Sequence, residues 1–168
     1  MINVAQRTDA GAGTRDFATF FAATFPRARA TATRLAGSAI AEDLAIDALA
    51  KAYARWPAVR AMDYPEAWVM RVVTNAALDE IRRKKAVLPS FAIHDESTTL
   101  ELREDVLGAL RTLTRRQQEV VVLRYIVDLP EAEVARILAI STGSVKSHLH
   151  RALPRLREHL AHDRKERP

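Results

Sequence analysis

The chain has 168 residues, room for one ordinary domain or two small ones, and its 48% hydrophobic and 28% charged residues suit packed cores in a soluble protein. Its formal net charge of +5 is a modest bias toward polyanions rather than a histone-like surplus, so any nucleic-acid specificity has to come from placed side chains. Cysteine is absent, which excludes disulfides and thiolate metal sites; the longest apolar run, residues 17–25, is too short to span a bilayer and follows no signal-type basic segment, so a cytoplasmic protein is expected.

Residues 1–15 are small and polar with two glycines, and are expected to form a disordered tail. A helical pattern begins at Asp16, where Phe17, Phe20, Phe21 and Phe25 recur at core spacing. Pro26 interrupts it, and a further helix over 28–35 is expected to end at Gly37-Ser38. The next helix, 41–53, buries Leu44, Ala45, Ala48, Leu49 and Ala52 and leaves Asp43 and Asp47 one turn apart on the opposite side, with Ile46 beside them. Two exposed carboxylates around an exposed apolar residue resemble a protein-docking face, where an apolar centre is flanked by charges that set orientation.

After Trp56-Pro57, a long helix is expected over 65–85, opened by Asp63, Pro65 and Glu66. Val69, Val72, Val73, Ala76 and Ala77 pack one side; Trp68, Arg71, Asn75, Asp79 and Arg82 form a stripe on the other. An aromatic ring near Arg and Asn suits unpaired bases, which stack on rings and hydrogen-bond through their edges. The basic run that includes Arg82 and Arg83 adds attraction for phosphate, whereas Asp79 is read as pairing with Arg82 or Arg83 across one turn.

Residues 87–99 carry Pro, Ser and Thr without a sustained period and read as a linker. A second helical block spans 100–163, with helices over 100–113 and 114–127, the latter opened by the capping box Thr114-Arg115-Arg116-Gln117, and a short tail at 164–168. From Asp128 onward the pattern is a helix-turn-helix, a motif that lays its second helix in the DNA major groove. Val134, Ala135 and Leu138 face inward in its first helix; the break falls at Ala139-Ile140-Ser141, and Ser141 is the expected N-cap of the second. In that second helix Val145, Leu149, Ala152, Leu153, Leu156 and Leu160 share an apolar stripe. Ser144, Lys146, Ser147, His148, Arg151 and Arg155 lie on or beside the opposite face, which carries no carboxylate before Glu158. The fold class is therefore all-α: two small helical domains, 16–86 and 100–163, joined by a flexible linker, the second containing a helix-turn-helix. Neither block holds a nucleophile–base pair or a metal-type carboxylate cluster, so no enzymatic activity, cofactor or metal is expected.

The segments AEDLAIDALAKAYARW, PEAWVMRVVTNAALDEIRRKK and LTRRQQEVVVLRYIVDLPEAEVARILAISTGSVKSHLHRAL, in that order and spacing, resemble the extracytoplasmic-function sigma factors of the sigma-70 family. The resemblance implies a promoter-recognition subunit of RNA polymerase. Asp43, Ile46 and Asp47 would meet the clamp helices of the largest polymerase subunit. Trp68, Arg71, Asn75, Arg82 and Arg83 would melt and read the −10 element, and Ser144, Lys146, Ser147, His148, Arg151 and Arg155 would read the −35 element. It further implies contact with the polymerase flap and an anti-sigma partner, with no membrane association.

Three positions depart from the family pattern: Ile46 stands where a polar residue is usual, Ser144 where Thr is common, and Pro154 lies inside the recognition helix, where a kink or early end is expected. The stretch 113–153 also resembles the DNA-binding domain of LuxR-type regulators, which would make the chain a self-sufficient operator binder. The first helical block argues against that reading, because it shows no sensing-domain pattern and does carry the Asp43/Asp47 and Trp68/Asn75/Arg82 helices.

Overall fold

The computed structural model describes the backbone over residues 4–83 and 100–165 and the side chains over 16–83 and 105–161, so the expected linker 87–99 lies outside the described residues. Among the described residues every regular element is helical. The first domain comprises α1 (Val4–Ala36), α2 (Ser38–Ala54), the single turn α3 (Trp56–Val59) and α4 (Pro65–Arg83). The second comprises α5 (Leu100–Arg111), α6 (Arg115–Val121), a π-helical segment (Val122–Ile126), α7 (Glu131–Leu138) and α8 (Thr142–Lys165).

In the first domain α1, α2 and α4 pack on one another around Leu35, Leu49, Val69, Met70 and Val73, all essentially inaccessible to solvent. Two expectations fail in α1. It is one helix rather than two, with Pro26 inside it, and residues 4–15 continue it instead of forming a disordered tail. The inward stripe explains the first: Phe17, Phe20, Phe21, Thr24, Ala28, Thr31, Ala32 and Leu35 keep spacings of three or four straight through the proline. Pro26 and Ala22 are both exposed, so the carbonyl of residue 22 that proline deprives of a partner meets water, and packing on both sides outweighs the lost bond. Once α1 is nucleated by this packing, its extension toward Val4 costs little per residue. Gly37 separates α1 from α2 at φ 84°, ψ 163°, a region essentially restricted to glycine. The rings of Phe17 and Phe20 close the far end against Trp56, with centroids 5.1 and 4.9 Å away.

In the second domain α8 packs against α5, α6 and α7. Gly108 permits the approach of α5 to α8, since a Cβ there would stand 2.9 Å from Nε2 of His159. The capping box opens α6 as expected: Thr114 Oγ1 accepts the Gln117 N–H, and the Gln117 side chain accepts the Thr114 N–H. The helix expected through residue 127 instead widens into the π-helical segment. Asp128 ends it at φ 61°, a conformation aspartate tolerates, and the Leu129 N–H reaches back six residues to the Leu123 carbonyl, 3.0 Å away.

The turn of the helix-turn-helix falls at the expected residues. Ala139 adopts φ 53°, ψ 50°; its N–H reaches the Arg136 carbonyl and the Ile140 N–H reaches the Ala135 carbonyl, a Schellman closure built on alanine. Ser141 Oγ then accepts the Ser144 N–H at 3.0 Å and caps α8. Pro154 neither ends α8 nor separates it into two elements: the helix runs on to Lys165, past the expected boundary at 163. The reason is the one that holds at Pro26, since Pro154 and residue 150 four positions earlier are both exposed, while Ala152 and Leu156 keep the inner face packed.

Candidate nucleic-acid interface

The outer face of α8 is presented by the burial of Val145, Leu149 and Ala152 on its inner side, which leaves Lys146, Ser147, Arg151 and Arg155 exposed and Ser144 and His148 half-buried. The hydroxyls at its start are already engaged locally. Ser144 Oγ lies 2.9 Å from Ser141 Oγ, and Ser147 Oγ donates to the Gly143 carbonyl at 2.9 Å. Each retains acceptor capacity for a base edge or phosphate. Lys146 is only loosely held, its Nζ lying 3.9 Å from Glu131. His148 has its pKa pushed below the ordinary value by burial first and by the Arg116 and Arg151 cations next, with Glu119 opposing them. At neutral pH it is an uncharged hydrogen-bonding group in a cationic surround, suited to base edges more than to phosphates.

On α2, Asp43 and Asp47 are exposed and Ile46 retains 43% of its surface, as its place beside the carboxylates predicts. Sequence reasoning missed Tyr53, two turns along the same face and 53% exposed; its spacing of seven from Ile46 was the available signal.

On α4 the outcome differs from residue to residue. Trp68 is half-buried and packs against the core, and Arg71 is half-buried. Arg83 is exposed and pairs with Glu80 at 2.6 Å. Asn75 and Arg82 are engaged by the second domain: Arg115 of α6 donates to Asn75 Oδ1 at 3.0 Å and to the Asn75 carbonyl at 3.2 Å, and Arg82 donates to Gln118 Oε1. Asp79 pairs with Arg82 at 3.9 Å, as expected, and also with Arg115. Burial alone would lower the Arg115 pKa, but the hydrogen bond and charge of Asp79, followed by those of Glu119, reverse this and raise it.

Other contacts join the domains. Arg34 of α1 donates to the Val127 carbonyl at 2.6 Å, Arg27 pairs with Glu133, and the Arg136 guanidinium lies 4.9 Å from the Tyr64 ring centroid. None of these partners was foreseen, because they lie far apart in the chain and no periodicity links them.

Comparison with known proteins accounts for both halves of the chain. The family described as Sigma-70 region 2 matches residues 20–87, and that described as Sigma-70, region 4 matches residues 103–156. The chain is 36% identical over 126 residues to the RNA polymerase sigma-E factor of Streptomyces antibioticus, covering 71% of this chain and 70% of that protein. It is 29% identical over 144 residues to the ECF RNA polymerase sigma factor SigW of Bacillus subtilis (strain 168), covering 71% and 75%. Among solved structures it is similar to the sigma factor RpoE in complex with the anti-sigma factor NepR from Bartonella quintana, with TM-score 0.53, 28% identity, and 88% of this chain and 98% of that one covered. It is also similar to CnrH in complex with the cytosolic domain of CnrY, with TM-score 0.57, 26% identity and coverage of 92% and 95%. A match in both halves is what the LuxR-type alternative does not supply.

Proposed function

The chain belongs to the extracytoplasmic-function group of the sigma-70 family of RNA polymerase sigma factors, and we propose that three of its helix faces divide the work of promoter recognition. The α2 face, with Asp43, Ile46 and Asp47, docks on the clamp helices of the largest polymerase subunit: the carboxylates orient the encounter and the apolar patch supplies burial. The α4 face, with Trp68, Arg71, Asn75, Arg82 and Arg83, receives the melted −10 strand. The α8 face, with Ser144, Lys146, Ser147, His148, Arg151 and Arg155, enters the major groove at the −35 element, and the second domain also meets the polymerase flap.

The observation that carries this reading is the α8 face. Its hydrogen-bonding and cationic groups stand on a helix capped by Ser141 and braced by α7, with Val145, Leu149 and Ala152 buried on its inner side. In this reading Arg151, exposed on that face, makes a bidentate contact to guanine, worth about 1–3 kcal/mol of discrimination. The chain supplies recognition and the polymerase supplies the chemistry, so the protein acts as an initiation factor and not as an enzyme, in the cytoplasm beside its polymerase. Among the described residues no helix is long and apolar enough to cross a membrane. The likeness to RpoE bound by NepR supports restraint by an anti-sigma protein.

In vitro transcription with sigma-free core polymerase on a genomic fragment library tests the function. The expected result is initiation from a discrete promoter set that depends on this chain. Tight, specific operator binding by the isolated chain, with no effect on the polymerase, would instead establish the self-sufficient regulator.

A further inference from the structure

At about 100° per residue the outer side of α8 divides into two flanks. Lys146 and His150 lie on the flank toward α7, where Lys146 Nζ stands 3.9 Å from Glu131. Ser144, His148 and Arg151 lie on the flank toward α6. Two guanidiniums therefore bracket one imidazole: Arg151 from the next turn of α8 and Arg116 from the start of α6. The acid that would offset them is already committed, since Glu119, 5% exposed, accepts from Arg115 at 3.2 Å and from Arg116 at 2.8 Å. Among the described residues the His148 ring has no hydrogen-bond partner, so its surroundings alone set its charge. Half-buried between these cations, it is held uncharged in the free factor.

We propose that His148 couples promoter recognition to pH: its imidazole takes one proton from solvent when duplex DNA closes on the α8 face, so that binding tightens as pH falls. This rests on the assignment of α8 to duplex DNA made above. Phosphates drawn to Arg151 and Arg116 bring negative charge beside the imidazole and offset the two guanidiniums. The charged ring is then the favoured form, and it adds a further cation–phosphate attraction. Of the charged groups on the packed neighbours, Arg116 and Glu119 of α6 face the ring; Glu131 of α7 faces Lys146 on the other flank, and α5 meets α8 further along, at His159. The complex holds more protons than the free factor and free DNA together. Affinity therefore starts to rise as pH falls below the imidazole pKa of the complex, and the gain is complete below the depressed pKa of the free factor. One proton limits the gain to about tenfold per pH unit. Its expected size is about fivefold, the worth of one further charge pair at contact distance in water. The factor thus fills its promoters more completely as the surrounding pH falls.

The test uses the full chain and a short random-sequence DNA duplex at low salt, with affinity read by fluorescence anisotropy from about pH 7.5 to about pH 5.5. Acidification raises the positive charge of every variant, so the comparison is between variants. Wild type is expected to gain about fivefold more over this range than His148→Gln. His150→Gln, which removes the imidazole of the other flank, keeps the wild-type gain. Isothermal titration calorimetry in two buffers of different ionisation enthalpy counts the protons directly and needs no variant for its main result. Near the ordinary imidazole value of 6.5, wild type takes up roughly half to one proton on binding, and His148→Gln takes up correspondingly less. Far-UV circular dichroism monitors folding. Parallel pH curves for wild type and His148→Gln overturn the proposal, as does binding by wild type without proton uptake, or a gain that disappears in His150→Gln instead. Lys146→Ala and Arg151→Ala report on the underlying assignment. If neither weakens duplex binding at any pH, α8 is not the DNA face and both readings fall. If they weaken it while wild type and His148→Gln keep parallel pH curves, the proton linkage alone falls.

Discussion

Gln118 is a buried amide, 4% exposed, that ties the end of α5 to α6. Its Nε2 donates to the Leu110 carbonyl at 2.8 Å and to the Leu113 carbonyl at 3.2 Å, and its Oε1 accepts from Arg82. Gln118→Met keeps the length and volume of the side chain while deleting all three bonds, so the measurement isolates polar satisfaction from packing. The Leu110 carbonyl retains the Leu113 N–H as a second partner at 3.1 Å and loses a modest amount, about 0.5–1 kcal/mol. The Leu113 carbonyl depends more heavily on Gln118, and leaving a buried acceptor short costs about 1–3 kcal/mol. The Arg82 contact is half-exposed and adds little. Against this, burying a thioether in place of an amide recovers up to about 1 kcal/mol. The net expectation is destabilisation by about 1–3 kcal/mol, a fall in urea midpoint of roughly 0.5–1.5 M at an ordinary m-value. Urea unfolding followed by circular dichroism measures it, with tryptophan fluorescence alongside: Trp56 and Trp68, the two tryptophans, both lie in the first domain, so the dichroism signal should fall first. A midpoint equal to or above that of the wild type would refute the account of Gln118 as the brace of α5 and α6.

Ala139 adopts the left-handed conformation that alanine occupies at a cost of roughly 1 kcal/mol, so Ala139→Gly should stabilise the second domain by up to about that amount, visible as a raised urea midpoint; a lowered midpoint would mean that the turn is not strained. Asp43→Lys with Asp47→Lys should reduce capture of core polymerase in a pull-down at physiological salt while leaving the circular dichroism unchanged, because both side chains are exposed. Protonation of His148 is disfavoured in the folded state, so below its ordinary value of 6.5 the unfolded chain binds more protons and stability is lost as pH falls. His148→Gln should therefore lose less stability than wild type between about pH 7 and about pH 5; parallel curves would dismiss the histidine.

What the sequence determined by itself is local. Helices, their inner faces and their starts follow from spacings of three and four and from capping residues, and these interactions close within one or two turns. Thr114, Ser141, the Ala139 break, the outward Asp43 and Asp47 and the outer face of α8 were legible for that reason. The same local reasoning misjudged Pro26 and Pro154, where the intrinsic penalty of proline was set against nothing. In the fold each proline faces water and the packed stripe runs past it, so tertiary burial outweighs one missing hydrogen bond. Only the tertiary structure decided what covers α4. Arg115 meets Asn75 40 positions away, Arg34 meets Val127 93 away, and Arg27 meets Glu133 106 away. Contacts at such separations are set by how two finished domains dock, and helical periodicity, which repeats every few residues, carries no information about that docking.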